Sequence, residues 1–225
     1  MENLKTILKL LREEGLKLNL EKCYFLQTSV SYLGFEISIG QIKPGSGKVK
    51  DIEEFPTPKS VHNIRQFLGL TGYFRHFVEN YASIAIPLTT LLRKTEKFKW
   101  GVSEQTSFNK LRKALTEKPI LAIFNPTAET EVHTDASAQG IAGIMLQKQS
   151  DGRLHPVAYY SRQTTHAENK YHSFELETLA VVDSLKKFRV YLLGIHFTVA
   201  TDCNALKASS TEKDIIPRIA RWWLL

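Results

Sequence analysis

Cysteine is scarce: the 225 residues hold two, Cys23 and Cys203, far apart and without metal-type spacing. That excludes a disulfide framework and a cysteine zinc site, and it fits a reducing compartment. No apolar run reaches the roughly 18 residues a membrane-spanning helix needs, and the N-terminus lacks the layout of a secretory leader. The expectation is a soluble intracellular protein, cytoplasmic or nuclear, with no membrane partner. No compact basic cluster stands out as a nuclear-entry signal. What is present is a 43% hydrophobic chain with aromatics spread along it. It is long enough for one large or two small domains with a buried core.

Charge divides the chain. Residues 1–120 carry 19 Lys and Arg against 12 Asp and Glu, whereas residues 121–225 carry 11 of each. All of the net charge of +7 therefore lies in the first half. A basic half beside a neutral one is the pattern of a part that grips a polyanion joined to a part that does something else.

Taken in order, the pattern predicts an amphipathic helix over 2–14 with Leu4, Ile7, Leu8 and Leu11 along one side and Gly15 as its stop. A strand over Leu16–Leu20 follows, then Lys22–Leu26, then a strand over 30–38 in which Gly34 marks a bulge or a close backbone approach. Residues 41–47 read as a loop and 48–54 as a short helix halted before Pro56. Ser60 stands where an N-cap belongs, ahead of a helix from Val61 to Gly69. Pro87 opens a further helix, and Ser103 is the expected cap of one over 104–115. Residues 116–130 read as an extended connector with a domain boundary near 118–128. Aromatics interleave with Arg65, Arg75 and His76 in this half. Most are core by their helical spacing, and the cations are the plausible contacts to phosphate.

From residue 129 the period changes to two. Strands over 130–135, 141–147 and 154–161 suggest an antiparallel meander, followed by a long helix over about 167–191 and a strand from His196 ending in Asp202. This order makes an α/β layered domain in which the last strand can pair in parallel with the first. Within Glu131–Ser137, alternation puts Val132 and Thr134 on one face and Glu131, His133 and Asp135 on the other. An aspartate at a strand end ordinarily shapes a turn, so Asp135 alone carries little. If the strand ending at Asp202 lies beside it, however, the two acids emerge together about 5 Å apart. The helix can then add a third, with Glu175 and Glu177 as candidates. Carboxylates so gathered repel one another unless a divalent cation neutralises them, and a pair of such ions can drive phosphodiester hydrolysis.

Glu14–Asn19 with Lys22-Cys23, Tyr32-Leu33-Gly34, Phe55–Lys59, Phe67–Leu70, Tyr73-Phe74-Arg75, Ile86-Pro87-Leu88 and Phe98-Lys99-Trp100 stand in the first half. His133–Ser137, Pro156–Arg162, Glu177–Val182 and Thr201-Asp202 stand in the second. In that order and spacing they resemble the C-terminal part of a gypsy-type LTR-retrotransposon Pol polyprotein. The likeness runs from the end of the reverse transcriptase palm into ribonuclease H and covers essentially the whole chain.

The resemblance implies an α/β, ribonuclease H-like mixed sheet with packed helices, preceded by a partial palm hairpin and a helical thumb. Residues 1–45 would be the palm end with its primer-grip hairpin at Tyr32-Leu33-Gly34. Residues 46–118 would be the thumb or connection, and 119–225 the ribonuclease H domain. It selects Glu177 over Glu175, makes Asp135, Glu177 and Asp202 catalytic ligands of two Mg²⁺ ions (Mn²⁺ being a possible substitute), and has Asp135 bridge both. Tyr32, Leu33, Gly34, Arg65 and Arg75 would touch nucleic acid. The partners implied are an RNA–DNA hybrid, duplex nucleic acid and the remainder of the Pol polyprotein. No aspartate here is followed by another, and the family's paired aspartates lie before residue 1, so DNA synthesis by this chain alone is not expected. The chain stops at Ile219–Leu225 inside an expected helix, with the family's fourth acid beyond, so it is expected to be truncated at both ends. The rival expectation is a nucleic-acid-binding remnant without turnover.

Overall fold

In a computed structural model of the chain, residues 2–117 and 119–202 are described. Cys203 and the expected helix ending at Leu225 lie outside the described residues.

The chain opens with α1 (Glu2–Glu13), whose apolar side stays exposed: no residue in it is buried. The alternation over Leu16–Leu20 does not make a strand. Residues 16–19 are irregular and Leu20–Lys22 form a 3₁₀ turn capped by the Asn19 side chain. Alternation specifies a strand only when a neighbour offers ladder bonds, and Leu16, Leu18 and Leu20 face solvent instead. Lys22–Leu26 likewise joins no sheet.

The expected single strand over 30–38 is a hairpin, β1 (Ser29–Tyr32) and β2 (Phe35–Ser38). Its two-residue turn has Leu33 at φ 48° and Gly34 at φ 79°. Two successive left-handed residues match the twist of the strands they join, so the glycine serves a turn and not a bulge. The expected loop after it contains β3 (Gln41–Pro44), and α2 (Ser46–Glu53) follows. Helix α3 (Val61–Tyr73) starts at Ser60, whose hydroxyl accepts from the Asn63 N–H at 3.2 Å. It buries Ile64, Phe67 and Thr71 along one side. Short helices α4 (Tyr81–Ile84) and α5 (Ile86–Thr90) lead to α6 (Val102–Thr116). The cap of α6 is at Gly101, not Ser103: the Glu104 carboxylate reaches back to the Gly101 N–H at 2.9 Å. One core, built around Phe67, Phe74, Phe108, Leu88 and Leu111, joins these helices to the hairpin through Phe35. The connector is not wholly extended coil, since β4 (Leu121–Ala122) pairs with β3 and completes an antiparallel sheet in the order β1-β2-β3-β4.

A second sheet follows, in the order β7-β6-β5-β8. Its strands are β5 (Thr130–Ser137), β6 (Gly140–Lys148), β7 (Leu154–Gln163) and β8 (Thr198–Thr201). β5, β6 and β7 form the expected antiparallel meander and β8 adds in parallel to β5. Helix α7 (Ser173–Leu192) begins later than expected, because a 3₁₀ turn occupies Glu168–Lys170. It packs on the face carrying Val132, Met145 and Ala158, with Phe188 at the centre. Gly143 makes this approach possible: a Cβ there would stand 2.2 Å from the Ser184 hydroxyl. Buried Gln147 ties the loop before β5 to the sheet by donating to the Asn125 carbonyl and accepting from the Asn125 N–H.

The opposite face of this sheet carries the helical unit. The Ser161 hydroxyl accepts from the buried Ala82 N–H at 3.0 Å, and the Gln163 amide donates to the Thr89 hydroxyl at 2.9 Å. Tyr159 packs against the first core. Ser161→Ala leaves the Ala82 N–H without an acceptor and is expected to cost about 1–3 kcal/mol in urea unfolding. A loss within about 0.5 kcal/mol, the range of an ordinary surface change, would show that this bond does not help to hold the units together.

Candidate active site at the end of the second sheet

The acids gather as the order of elements requires. In the parallel pair, Thr134 lies opposite Thr201, and each is followed at once by an aspartate, Asp135 and Asp202. Both are exposed at the same end of adjoining strands. Along β5 the residues Thr130, Val132 and Thr134 are buried, while Glu131, His133 and Asp135 are not. Asp135 thus rises from the face opposite α7, and Glu177 reaches the same end from the helix.

Glu177 is half-buried, and the Ala136 backbone N–H donates to its carboxylate. Its second oxygen, Oε2, is buried with no hydrogen-bond partner. Burial pushes its pKa up, and the negative charges of Asp135 and then Asp202 push it further. An ionised carboxylate held in this way, with one oxygen unsatisfied beside two like charges, is costly. The three acids are within electrostatic reach but not drawn into a closed cage: among the described residues, no three His, Cys, Asp or Glu side chains form a ready-made metal cluster. Even so, the donors are all carboxylate oxygens, the set that suits a hard divalent cation such as Mg²⁺, and the orphaned Oε2 is an acceptor that such an ion would satisfy.

Glu175, the rival from the same helix, has another occupation. It is buried, and its carboxylate accepts from the His172 N–H at 3.2 Å, closing the first turn of α7. Helix position is fixed farther along by Arg162 of β7. Its guanidinium grips Glu168 through two bonds, at 2.7 and 3.0 Å, and Asp183 of α7 at 2.6 Å. Such a fork holds planar geometry as well as charge. Arg162 accordingly holds the Glu168 carboxyl below the usual range.

Sequence reasoning missed the recess beside Asp135. It measures about 220 Å³ and is walled by His133, Ile144 and Tyr159 from the sheet and by Glu79 and Asn80 from the helical unit. His133 is held by Glu131 at 2.6 Å. The alternation already placed His133 on the side of Asp135, but nothing local to Glu79 marks it as a neighbour.

The expected nucleic-acid contacts separate into two groups. Tyr32 and Leu33 are exposed at the tip of the hairpin, and the Leu33 carbonyl accepts from the Tyr73 hydroxyl at 2.7 Å. Phe35 stacks on Tyr73 at 5.3 Å, so this turn is anchored to α3. Arg65 projects from α3 into solvent. Arg75 is exposed as well, and its guanidinium also donates to the Ser161 carbonyl at 2.5 Å and lies 5.5 Å from the Tyr81 ring centre.

Residues 100–199 match the family described as an RNase H-like domain found in reverse transcriptase. Along 98% of its length the chain is 36% identical to the Retrovirus-related Pol polyprotein from transposon opus of Drosophila melanogaster, covering 23% of that protein. It is 29% identical over its full length to the Transposon Tf2-3 polyprotein of Schizosaccharomyces pombe, covering 17%. The chain thus spans under a quarter of the relatives it matches. In fold it resembles the foamy viral protease-reverse transcriptase in complex with RNA/DNA hybrid. There the TM-score is 0.78 and the identity 24%, over 98% of this chain and 31% of the other. The same viral protein in complex with dsDNA gives a TM-score of 0.77 at 24% identity, over 97% of this chain and 47% of the other.

Glu177→Gln in metal-free buffer is expected to raise the melting temperature at neutral pH. Folding raises the Glu177 pKa, so the native state bears no penalty from it at acid pH, where the carboxyl is protonated in both states. The penalty appears as pH climbs through the folded-state titration. The gap between variant and wild type should therefore close on acidification and narrow when Mg²⁺ is added. A variant no more stable than wild type at neutral pH would contradict the crowding of charge described for this site.

Proposed function

We propose that this chain, which carries an RNase H-like domain of the kind found in reverse transcriptase, is a gypsy-type Pol segment that cuts the RNA strand of an RNA–DNA hybrid. Asp135, Glu177 and Asp202 are the residues that hold divalent metal. The observation that carries this reading is the Glu177 carboxylate, half-buried, with one oxygen unpartnered and its pKa raised by the other two acids. Two Mg²⁺ ions, replaceable by Mn²⁺, would neutralise that crowding and supply Lewis-acid activation of a water and of the leaving oxygen.

The protein's own contribution is placement. The parallel register of β5 and β8 sets the two aspartates side by side, the Ala136 N–H and the Arg162 fork aim Glu177 from the helix, and the recess beside Asp135 leaves room for a strand of substrate. Tyr32, Leu33 and Gly34 at the hairpin tip and Arg65 on α3 hold the duplex. They act through its backbone and shape, with the 2′-hydroxyl telling RNA from DNA. Arg75, exposed beside the junction, joins them as a phosphate contact while its bond to the Ser161 carbonyl holds it in place. The basic first half of the chain supplies the sequence-independent attraction. The remainder of a Pol polyprotein is the natural partner.

Purified protein incubated with a labelled hybrid and Mg²⁺ should cleave the RNA strand. Asp135→Asn, Asp202→Asn and EDTA should each reduce cleavage to background. Activity that persists through any of them would place the chemistry elsewhere. Binding of the hybrid without cleavage by wild type would instead support the remnant without turnover. Arg65→Ala is expected to weaken duplex binding about equally for all sequences and to lower the slope of log K against log salt by about 1. An unchanged slope would remove Arg65 from the interface.

A further inference from the structure

A second cavity, of about 550 Å³, lies where the two sheets meet. That is within the range of sites for small organic ligands, roughly 300–1,000 Å³. Its walls are mostly apolar and come from both units: Ile37 and Ile42 from the first sheet, Phe124 after β4, Val157 of β7, and Phe188 and Tyr191 of α7. The Phe124 and Tyr191 rings stand 5.2 Å apart at 57°, an open aromatic corner.

Two further lining residues are basic, His76 and Lys187, and none of the described lining residues is acidic. Neither forms an ion pair among the described residues. His76 lies between the rings of Phe35 and Phe77, at 5.6 and 4.5 Å. Burial and then the positive charge of Lys187 push its pKa down. With His76 favoured neutral, Lys187 is the one charge among the described lining residues, and it sits beside an apolar wall, the inverse of the acidic end of the sheet. A ligand with a flat apolar body and one negative group would match both features, its body against the apolar wall and its anion at the exposed Lys187 ammonium at the edge.

We propose that this junction cavity binds a small aromatic carboxylate, its ring against Phe124 and Tyr191 and its carboxylate at Lys187. The site is independent of the carboxylates of the second sheet. Because its walls belong to both units, an occupant would fasten the two sheets together and raise the melting temperature of the whole chain by mass action.

The test is calorimetric titration of the full chain with 2-naphthoate, with the neutral 2-naphthylmethanol as comparison. One saturable site is expected, with the alcohol and the Lys187→Met variant both weaker by about tenfold, the size of one charge-assisted contact. Lys187→Arg should keep most of the affinity. Ile123→Trp, which adds bulk at a half-exposed lining position, should remove it. Lys187 is exposed, so its variants leave the core intact. The proposal fails if the alcohol binds as well as the acid, or if Lys187→Met or Ile123→Trp binds like wild type. It fails equally if no saturable binding appears below about 1 mM, the weakest specific affinity worth the name.

Discussion

The repulsion among Asp135, Glu177 and Asp202 is the constraint to which the second unit is built. A polypeptide left to minimise its own energy would not bury a glutamate oxygen without a partner beside two aspartates. The surrounding structure enforces the arrangement from several directions. The parallel ladder of β5 and β8 fixes the aspartates, the bare backbone of Gly143 lets α7 come close, and the Arg162 fork to Glu168 and Asp183 stops the helix from sliding. Such crowding of like charge would be relieved by a divalent cation, the reading proposed for this site.

The same logic explains how the first unit is attached. Its basic excess is not spread evenly. Arg75 and Arg65 are both exposed, and Arg75 is in addition tethered to the junction by the Ser161 carbonyl and the Tyr81 ring. The hairpin tip is exposed and yet firmly held, since its turn carbonyl and its Phe35 ring both rest on Tyr73. A rigid, exposed turn on one unit and an acidic end on the other, joined across Ser161 and Gln163, form one body that can present two surfaces to a single long ligand.

Much of this was legible in the sequence where local pattern and global order agree. The β-β-β-α-β succession places the strands ending at Asp135 and Asp202 side by side, and the period-two alternation over Glu131–Asp135 gives the correct faces. Glu175 and Glu177 could not be told apart by spacing, because both sit near the helix start. The decision lies in the His172 N–H, which only Glu175 meets. The hairpin at Leu33-Gly34 was implied by the resemblance but hidden from the strand pattern, for want of an asparagine or aspartate in the turn. The alternation over Leu16–Leu20 misled because a strand needs a partner that no single stretch can announce. Arg75, Glu79 and the junction cavity involve residues far apart along the chain, from Ile37 to Tyr191, and packing at that range leaves no local signal.

The most direct test of the central claim is to titrate Mn²⁺ into the chain and follow the free ion by electron paramagnetic resonance, without substrate. The account predicts saturable uptake by wild type, displaced by Mg²⁺, and clearly weaker uptake in Asp135→Asn, Glu177→Gln and Asp202→Asn alike, because each removes charge from one shared site. Uptake unchanged by all three substitutions would contradict it.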